Sequence, residues 1–160
     1  MNDVNADQLK AVDDRIWSSL QLALNDIAQQ AGYAVFYNDI EPGFKVAQVD
    51  MYEDGKNLSV NVFYQYKLET ECYTVQIWAL YPFLVRPDAM DEACRYFAQA
   101  TAESAFTSYT IRKVNNNPYC KMAVLLPCDE AFPQGTFVQM FIATTVSALD
   151  RYEDVQRFAA

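Results

Sequence analysis

Residues 45–81 alternate between apolar and polar side chains, and this period of two constrains the fold more than any other feature of the sequence. Two polar turn sequences interrupt the alternation, Glu53-Asp54-Gly55-Lys56 and the segment Lys67 to Glu71. An Asp-Gly pair between two alternating segments is a strong hairpin signal. The pattern therefore predicts an antiparallel meander of three strands: Lys45 to Tyr52, Leu58 to Tyr66 and Cys72 to Tyr81.

The same alternation assigns the side chains of the meander to two faces, because successive residues of a strand point to opposite sides of the sheet. One face receives Leu58, Val60, Val62, Tyr64 and Tyr66 from the second strand and Tyr73, Val75, Ile77 and Ala79 from the third. The other face receives Ser59, Asn61, Phe63, Gln65, Thr74, Gln76 and Trp78. We expect a sheet with one mainly apolar face and one mixed face.

Helical periodicity flanks the meander on both sides. Apolar residues recur at intervals of three and four from Asp7 to Ala31, and Gly32 then stands where a glycine ends a helix. A second helix, Met90 to Phe106, follows Arg86-Pro87-Asp88, and a third begins near Gly135 and runs towards Phe158.

Further strands are predicted outside the meander. Tyr109 to Val114 and Tyr119 to Leu126 are two strands joined by Asn115-Asn116-Asn117-Pro118. Tyr33 to Tyr37 is a candidate short strand before a Pro42-Gly43 turn, for which type II geometry is expected.

The order helix, three strands, helix, two strands, helix predicts an α+β fold, with a largely antiparallel sheet packed against helices. The chain has 160 residues, 52% of them apolar, and no linker-like segment or repeat divides it. We therefore expect a single domain over residues 1–160.

The charge and the missing histidines exclude several classes of function. Twelve Lys and Arg against twenty-one Asp and Glu leave a net charge of −9, whereas a nucleic-acid binder requires a basic face. Without histidine, the chain has no Ser-His-Asp or Cys-His nucleophile system and no histidine metal ligand. Its four glycines do not form a phosphate-binding loop. These absences disfavour most classes of enzyme, and we expect no cofactor and no metal.

The start of the chain predicts a cytoplasmic location. Residues 1–5 lack the basic and apolar regions of a signal peptide, and no apolar run approaches the roughly 20 residues of a membrane span. Cys72, Cys94, Cys120 and Cys128 show no CxxC spacing, so we expect small buried side chains rather than a redox pair or a zinc site.

Two acidic clusters and two cysteines are candidates for chemistry. Asp50, Glu53 and Asp54 surround the first hairpin, and Asp129 and Glu130 precede the last helix. Paired carboxylates can act as acid and base or hold a hard cation, but turns and helix starts favour acids for structural reasons. A nucleophilic Cys120 or Cys128 requires a base that the sequence does not provide.

The aromatic residues of the mixed face are the more informative candidates. Tyr52, Phe63 and Trp78 stand there among polar side chains that include Gln65 and Gln76. Aromatic anchors in a polar surround are typical of protein-binding surfaces. A helix packed on this face is an equally good explanation. A small-molecule or enzymatic pocket between the sheet and the last helix, and a purely structural subunit, are further alternatives.

The order of elements resembles the type III secretion chaperone-like fold, and the second half resembles the YbjN-like family of bacterial proteins. The resemblance is carried by Tyr109-Thr110-Ile111-Arg112, by Met122-Ala123-Val124-Leu125-Leu126-Pro127 and by Ala148-Leu149-Asp150-Arg151-Tyr152. It covers roughly Asp88 to Phe158 in sequence and the entire chain in the order of elements, and Tyr33 to Tyr37 departs from the three-strand order of the simple fold.

This resemblance implies a non-enzymatic, partner-binding domain with a chaperone-like or regulatory role. Secretion chaperones of the fold are homodimers that bind extended segments of partner proteins, and YbjN-like proteins are described as proposed sensory transduction regulators. By this analogy we expect a homodimer with one contact on the middle helix or its neighbouring strand. No catalytic residue is carried over.

Overall fold

The computed structural model describes the backbone of residues 3–160 and the side chains of residues 6–160. Residues 1–2 and the side chains of residues 3–5 lie outside that description, and with them the part of the sequence from which the absence of a signal peptide was predicted. The helices and strands are α1 (Asp3–Ala31), β1 (Ala34–Glu41), β2 (Phe44–Glu53), β3 (Lys56–Lys67), β4 (Cys72–Leu80), α2 (Met90–Glu103), β5 (Ser108–Ile111), β6 (Pro118–Pro127), α3 (Gln134–Asp150) and α4 (Tyr152–Gln156). The described helices are too short or too polar to cross a membrane.

The strands form one antiparallel sheet in the order β1-β2-β3-β4-β6-β5. The predicted α+β order with an antiparallel sheet is confirmed. The candidate strand Tyr33 to Tyr37 is β1, which adds a fourth strand before the middle helix at the outer edge of the meander. Its side chains are mostly exposed, and this explains its weak apolar signal.

The two predicted turns adopt the conformations that their glycines allow. Asp54 and Gly55 have φ of 50° and 78°, as a two-residue hairpin with both central residues at positive φ requires. Gly43 has φ of 79°, which agrees with the predicted type II turn. A Cβ on Gly43 would lie 3.2 Å from the backbone oxygen of Tyr66.

Replacement of Gly43 by alanine is therefore expected to lower the free energy of unfolding by about 1–3 kcal/mol, because the left-handed backbone and the close oxygen both disfavour a Cβ. Urea denaturation measures this change. Gly135→Ala is the matched control, since a Cβ there meets no atom within 4 Å. Equal stability of the two variants would contradict the assignment.

The last helix is not continuous, and this corrects the prediction that it extends to Phe158. α3 ends at Asp150, and the chain turns at Arg151 before α4. The turn places Tyr152 against Tyr81, with ring centroids 5.6 Å apart, and brings Phe158 against Phe97. Aromatic packing of the C-terminal residues thus replaces the last turns of the helix.

A buried polar cluster, which we call the Asp13 cluster, joins α1 to the sheet. Lys45 of β2 donates to Asp13 of α1 at 3.3 Å, and their side chains are only 7% and 9% exposed. The hydroxyl of Tyr64 on β3 donates to the other carboxylate oxygen at 2.6 Å. Burial, followed by this hydrogen bond, raises the pKa of Tyr64 far above its usual value. The cluster satisfies charged groups that the core would otherwise not tolerate.

Candidate functional site: the open face of the sheet

The helices pack on one side of the sheet. Trp17 of α1 lies 5.9 Å from Tyr64, and Phe97 of α2 stacks on Tyr109 at 6.4 Å. The Tyr109 hydroxyl donates to the backbone oxygen of Ser147 on α3 at 2.9 Å. Tyr64 and Tyr109 belong to the apolar face, so all three contacts lie on the same side. The mixed face points away from these helices.

Four rows of cross-strand neighbours form this second surface, which we call the open face. The rows, each crossing β2, β3, β4 and β6, are Asp50–Ser59–Leu80–Tyr119, Gln48–Asn61–Trp78–Lys121, Val46–Phe63–Gln76–Ala123 and Phe44–Gln65–Thr74–Leu125. Except for Tyr119, which is 8% exposed, these residues are half-buried or exposed. The faces of β3 and β4 therefore agree with the predicted alternation, and the explanation that a helix covers the mixed face is wrong for the described residues.

Four aromatic rings form a continuous row across the open face. Phe44 stacks on Phe63 at 6.5 Å, Phe63 lies 4.7 Å from Trp78, and Trp78 stacks on Tyr119 at 4.7 Å. The ammonium group of Lys121 lies 6.0 Å from the centroid of the Trp78 ring. Rings held in this way lose little conformational entropy when a partner packs on them.

The five residues predicted from the sequence all lie on this side of the sheet. Phe63 and Trp78 are neighbours in the ring row, and Gln76 accepts a hydrogen bond of 3.1 Å from the indole nitrogen of Trp78. Gln65 is exposed beside Phe44. Tyr52 stands apart, 67% exposed, at the end of β2 near the first hairpin.

Sequence reasoning missed Phe44, Tyr119 and Phe36 as members of this surface. Phe36 of β1 pairs with Gln48 and is 57% exposed. A signal for Tyr119 was present, because Cys120 was assigned to the apolar face and its neighbour must then point to the other side. Phe44 was missed because the predicted strand began one residue later, at Lys45. For Phe36, the signal is the register between β1 and β2, which the alternation within one strand does not define.

A groove of about 510 Å³ adjoins the open face at the Tyr52 end. Asp50 is its one charged lining residue, and Tyr52 forms part of its wall. The side-chain amide of Gln48 donates to one oxygen of Asp50 at 2.9 Å, which fixes the carboxylate. Further lining residues are Met51, Asn57, Leu58, Ser59, Leu80, Tyr81, Pro82 and Asn117.

The acidic clusters do not converge on a catalytic or metal site. Glu53 accepts a hydrogen bond of 3.1 Å from the Tyr33 hydroxyl, and Asp54 occupies the turn itself. Asp129 and Glu130 are exposed in the loop before α3. Among the residues with described side chains, no group of three potential ligands is placed to hold a metal ion.

The cysteines divide between the core and the surface. Cys120 and Cys128 are buried as predicted, and burial is the main cause that raises the pKa of each thiol to about 11. A thiol with such a pKa is protonated at neutral pH, which disfavours a nucleophilic role. Cys72 is half-buried, and Cys94 on α2 is exposed, so the prediction of burial is wrong for Cys94.

The chain is similar to known proteins in structure but not in sequence. The sequence matches no protein-family model and no curated protein. Structures similar to the chain include that of YbjN, a proposed transcription regulator from E. coli, with a TM-score of 0.49 and 12% identity over 86% of this chain and 92% of YbjN. The structure of the ExsC–ExsE complex, of a type III secretion chaperone, is also similar. Its TM-score is 0.45, with 15% identity over 89% of this chain and 94% of the matched chain.

Both neighbours belong to the classes that the sequence resemblance named. Their identities are low and their TM-scores lie below 0.5, so they transfer no function to this chain. Any functional argument must therefore come from the open face itself.

Proposed function

We propose that the chain is a non-enzymatic partner-binding domain that recognises a protein segment through the open face. The ring row that includes Phe63 and Trp78, half-buried on the helix-free side of the sheet, is the observation that supports this proposal. Gln65 and Gln76 supply polar contacts around the rings, and Tyr52 extends the surface at one end.

The chemistry of the open face suits a protein more than a metabolite. Of the sixteen residues in its four rows, Asp50 and Lys121 are the charged ones, and the remainder are apolar or carry amide or hydroxyl groups. Interface cores are depleted in charge and enriched in aromatic residues, with polar groups around them. An extended patch of this kind on a sheet offers rings and hydrogen-bonding groups to a segment several residues long.

The small-molecule alternative placed a pocket between the sheet and the last helix. One cavity between these elements, of about 400 Å³, lies at the surface between the β2–β3 hairpin and α3. Glu53, Asp54, Lys56 and Asp150 line it together with Val146 and Leu149. This charged depression differs from the deep apolar pocket with a few convergent polar groups that a small-molecule site requires.

The role of the domain in the cell is proposed to be chaperone-like or regulatory, as the resemblance implies. A cytoplasmic location remains a prediction of the sequence. The net charge of −9 opposes self-association of the open face and favours partners with basic segments.

Affinity capture from the native cell tests the proposed function. The tagged wild type is compared with a tagged Phe63→Ala variant and with Leu22→Ala, which truncates an exposed apolar side chain on α1. We expect one protein near stoichiometric amounts with the wild type and with Leu22→Ala, and its loss with Phe63→Ala. Capture of the same protein by the wild type and by both variants would place the binding surface elsewhere.

A homodimer is proposed as well, with its contact at the β5–β6 end of the sheet. β5 covers β6 only as far as Lys121. Tyr81 N–H donates to Pro118 O and Cys128 N–H to Glu71 O, so even-numbered residues of β6 turn towards β4. Ala123 and Leu125 therefore direct their backbone groups to the free edge, where a second strand can pair.

Substitution of Leu125 by lysine is expected to convert the dimer to a monomer, because Leu125 is 65% exposed beside this edge and two cations would meet across the contact. Light scattering during size-exclusion chromatography gives the mass. Leu22→Lys, on α1, is the matched control and should remain dimeric. A monomeric wild type, or an unchanged mass for Leu125→Lys, would refute the proposed contact.

A further inference from the structure

We propose that the groove at the end of the open face, with Asp50 and Tyr52, is a pocket for an arginine side chain of the bound partner segment. This inference rests on the proposed function and specifies the chemistry that the segment must carry. It follows from the shape of the groove, from its single charge and from the position of the tyrosine ring.

The groove has the dimensions of a binding pocket. Its volume of about 510 Å³ falls within the roughly 300–1,000 Å³ that is usual for ligand sites. It continues the first row of the open face, since Asp50 pairs with Ser59 and Ser59 with Leu80. Pro82 and Asn117 also line it. A segment lying over the ring row therefore reaches the groove without leaving the sheet.

The charge of the groove selects a cation. No Lys or Arg of the described structure lies within ion-pairing distance of Asp50, and Lys121 is three strands away over Trp78. Gln48 holds one carboxylate oxygen with a neutral hydrogen bond, so the other oxygen remains available to a donor. A preorganised carboxylate beside half-buried surface binds a cationic donor more strongly than a neutral one.

The ring of Tyr52 distinguishes arginine from lysine. Asp50 and Tyr52 are two residues apart on the same strand and point to the same face. A planar guanidinium can stack on the exposed tyrosine ring while its N–H groups donate to the carboxylate, whereas a strongly hydrated ammonium lacks this flat surface. Oxygen atoms of Asn57, Ser59 and Asn117 are further acceptors along the wall.

The pocket defines the orientation in which the partner segment lies on the open face. The partner segment places apolar or aromatic residues on the Phe63–Trp78 rings and an arginine about one row further along, beyond Leu80. The charge of the whole chain, −9, attracts basic segments from a distance, and Asp50 defines where one guanidinium is placed.

Backbone amide NMR of the full chain with N-acetyl-arginine methylamide tests the pocket. We expect saturable shifts confined to residues around the groove, with a dissociation constant of roughly 1–10 mM for such a small probe. N-acetyl-glutamate methylamide should produce no such shifts, and N-acetyl-lysine methylamide should bind several-fold more weakly.

Two matched variants separate the pocket from general attraction to an acidic protein. Asp50→Asn should weaken binding of the arginine probe about tenfold, since it removes the charge-assisted hydrogen bond. Asp54→Asn makes the same change in net charge outside the groove and should leave binding unchanged. The inference is overturned if the shifts do not saturate at a probe concentration ten times the expected dissociation constant, or if the two variants weaken binding equally.

The captured partner distinguishes failure of this inference from failure of the proposed function. If Asp50→Asn binds the partner as tightly as Asp54→Asn while Phe63→Ala does not bind, the open face is the binding surface and the arginine pocket is wrong. If Asp50→Asn weakens binding of the partner about tenfold and Asp54→Asn does not, the pocket is supported. If neither Asp50→Asn nor Phe63→Ala weakens binding of the partner, both the arginine pocket and the proposed function are refuted.

Discussion

Exchange of Asp13 for asparagine is expected to lower the free energy of unfolding by about 3–5 kcal/mol, because Lys45 then remains as a buried cation without its counter-ion. Asparagine keeps an oxygen for the Tyr64 hydroxyl, so the loss reports the charge rather than that hydrogen bond. The second acid near Lys45, Asp39, lies 4.0 Å away and is 73% exposed, and it compensates little. Urea denaturation at neutral pH measures the effect.

Two further variants make this prediction specific. Asp14→Asn changes an exposed neighbour and should alter stability by no more than about 0.5 kcal/mol. The double variant Asp13→Asn, Lys45→Met removes both buried charges and should recover most of the lost stability. If Asp13→Asn is as stable as Asp14→Asn, the Asp13 cluster does not join α1 to the sheet in solution.

Truncation of Trp78 to alanine is expected to weaken binding of the captured partner about thirtyfold or more, which corresponds to the roughly 2 kcal/mol of an aromatic hot spot. The ring occupies the centre of the row, between Phe63 and Tyr119, where a partner excludes water most completely. Isothermal titration calorimetry with the purified partner measures the change.

The stability of Trp78→Ala provides the contrast. The side chain lies on the solvent side of the sheet, so the free energy of unfolding should fall by less than about 1.5 kcal/mol, from lost ring contacts. Phe106→Ala removes a ring that is 78% exposed in the loop after α2 and should change neither binding nor stability. Equal losses of binding and stability for Trp78→Ala would show that Trp78 is a folding residue.

The strands and their faces were predictable because each depends on neighbours in sequence. The Asp54-Gly55 pair indicated the turn, and the alternation of Leu58 and Val60 with Ser59 and Asn61 defined the faces. Which face the helices cover depends on contacts between distant segments, such as Trp17 with Tyr64. Periodicity within a strand marks the apolar face as buried, but it does not show whether a helix also covers the mixed face.

The Asp13 cluster and the arginine pocket show the same limit. Asp13 lies on the apolar stripe of α1, three residues before Ile16, so the helical period already indicates its burial. Its partner, Lys45 of β2, is defined only by the packing of α1 on the sheet. Asp50 was grouped with Glu53 and Asp54 at a hairpin tip. Because side chains alternate between the two faces along β2, Asp50 points away from the face of Glu53 and lies beside Tyr52 on the open face.

Side-chain oxidation of the free protein and of its complex with the captured partner tests the central claim most directly. Phe63 and Trp78 report the open face, and Leu22 and Phe106 report surfaces on the helical side and in the loop after α2. The proposed function predicts that hydroxyl-radical oxidation of Phe63 and Trp78 slows several-fold in the complex while that of Leu22 and Phe106 is unchanged. Unchanged oxidation of Phe63 and Trp78, with protection of Leu22 or Phe106, would contradict it.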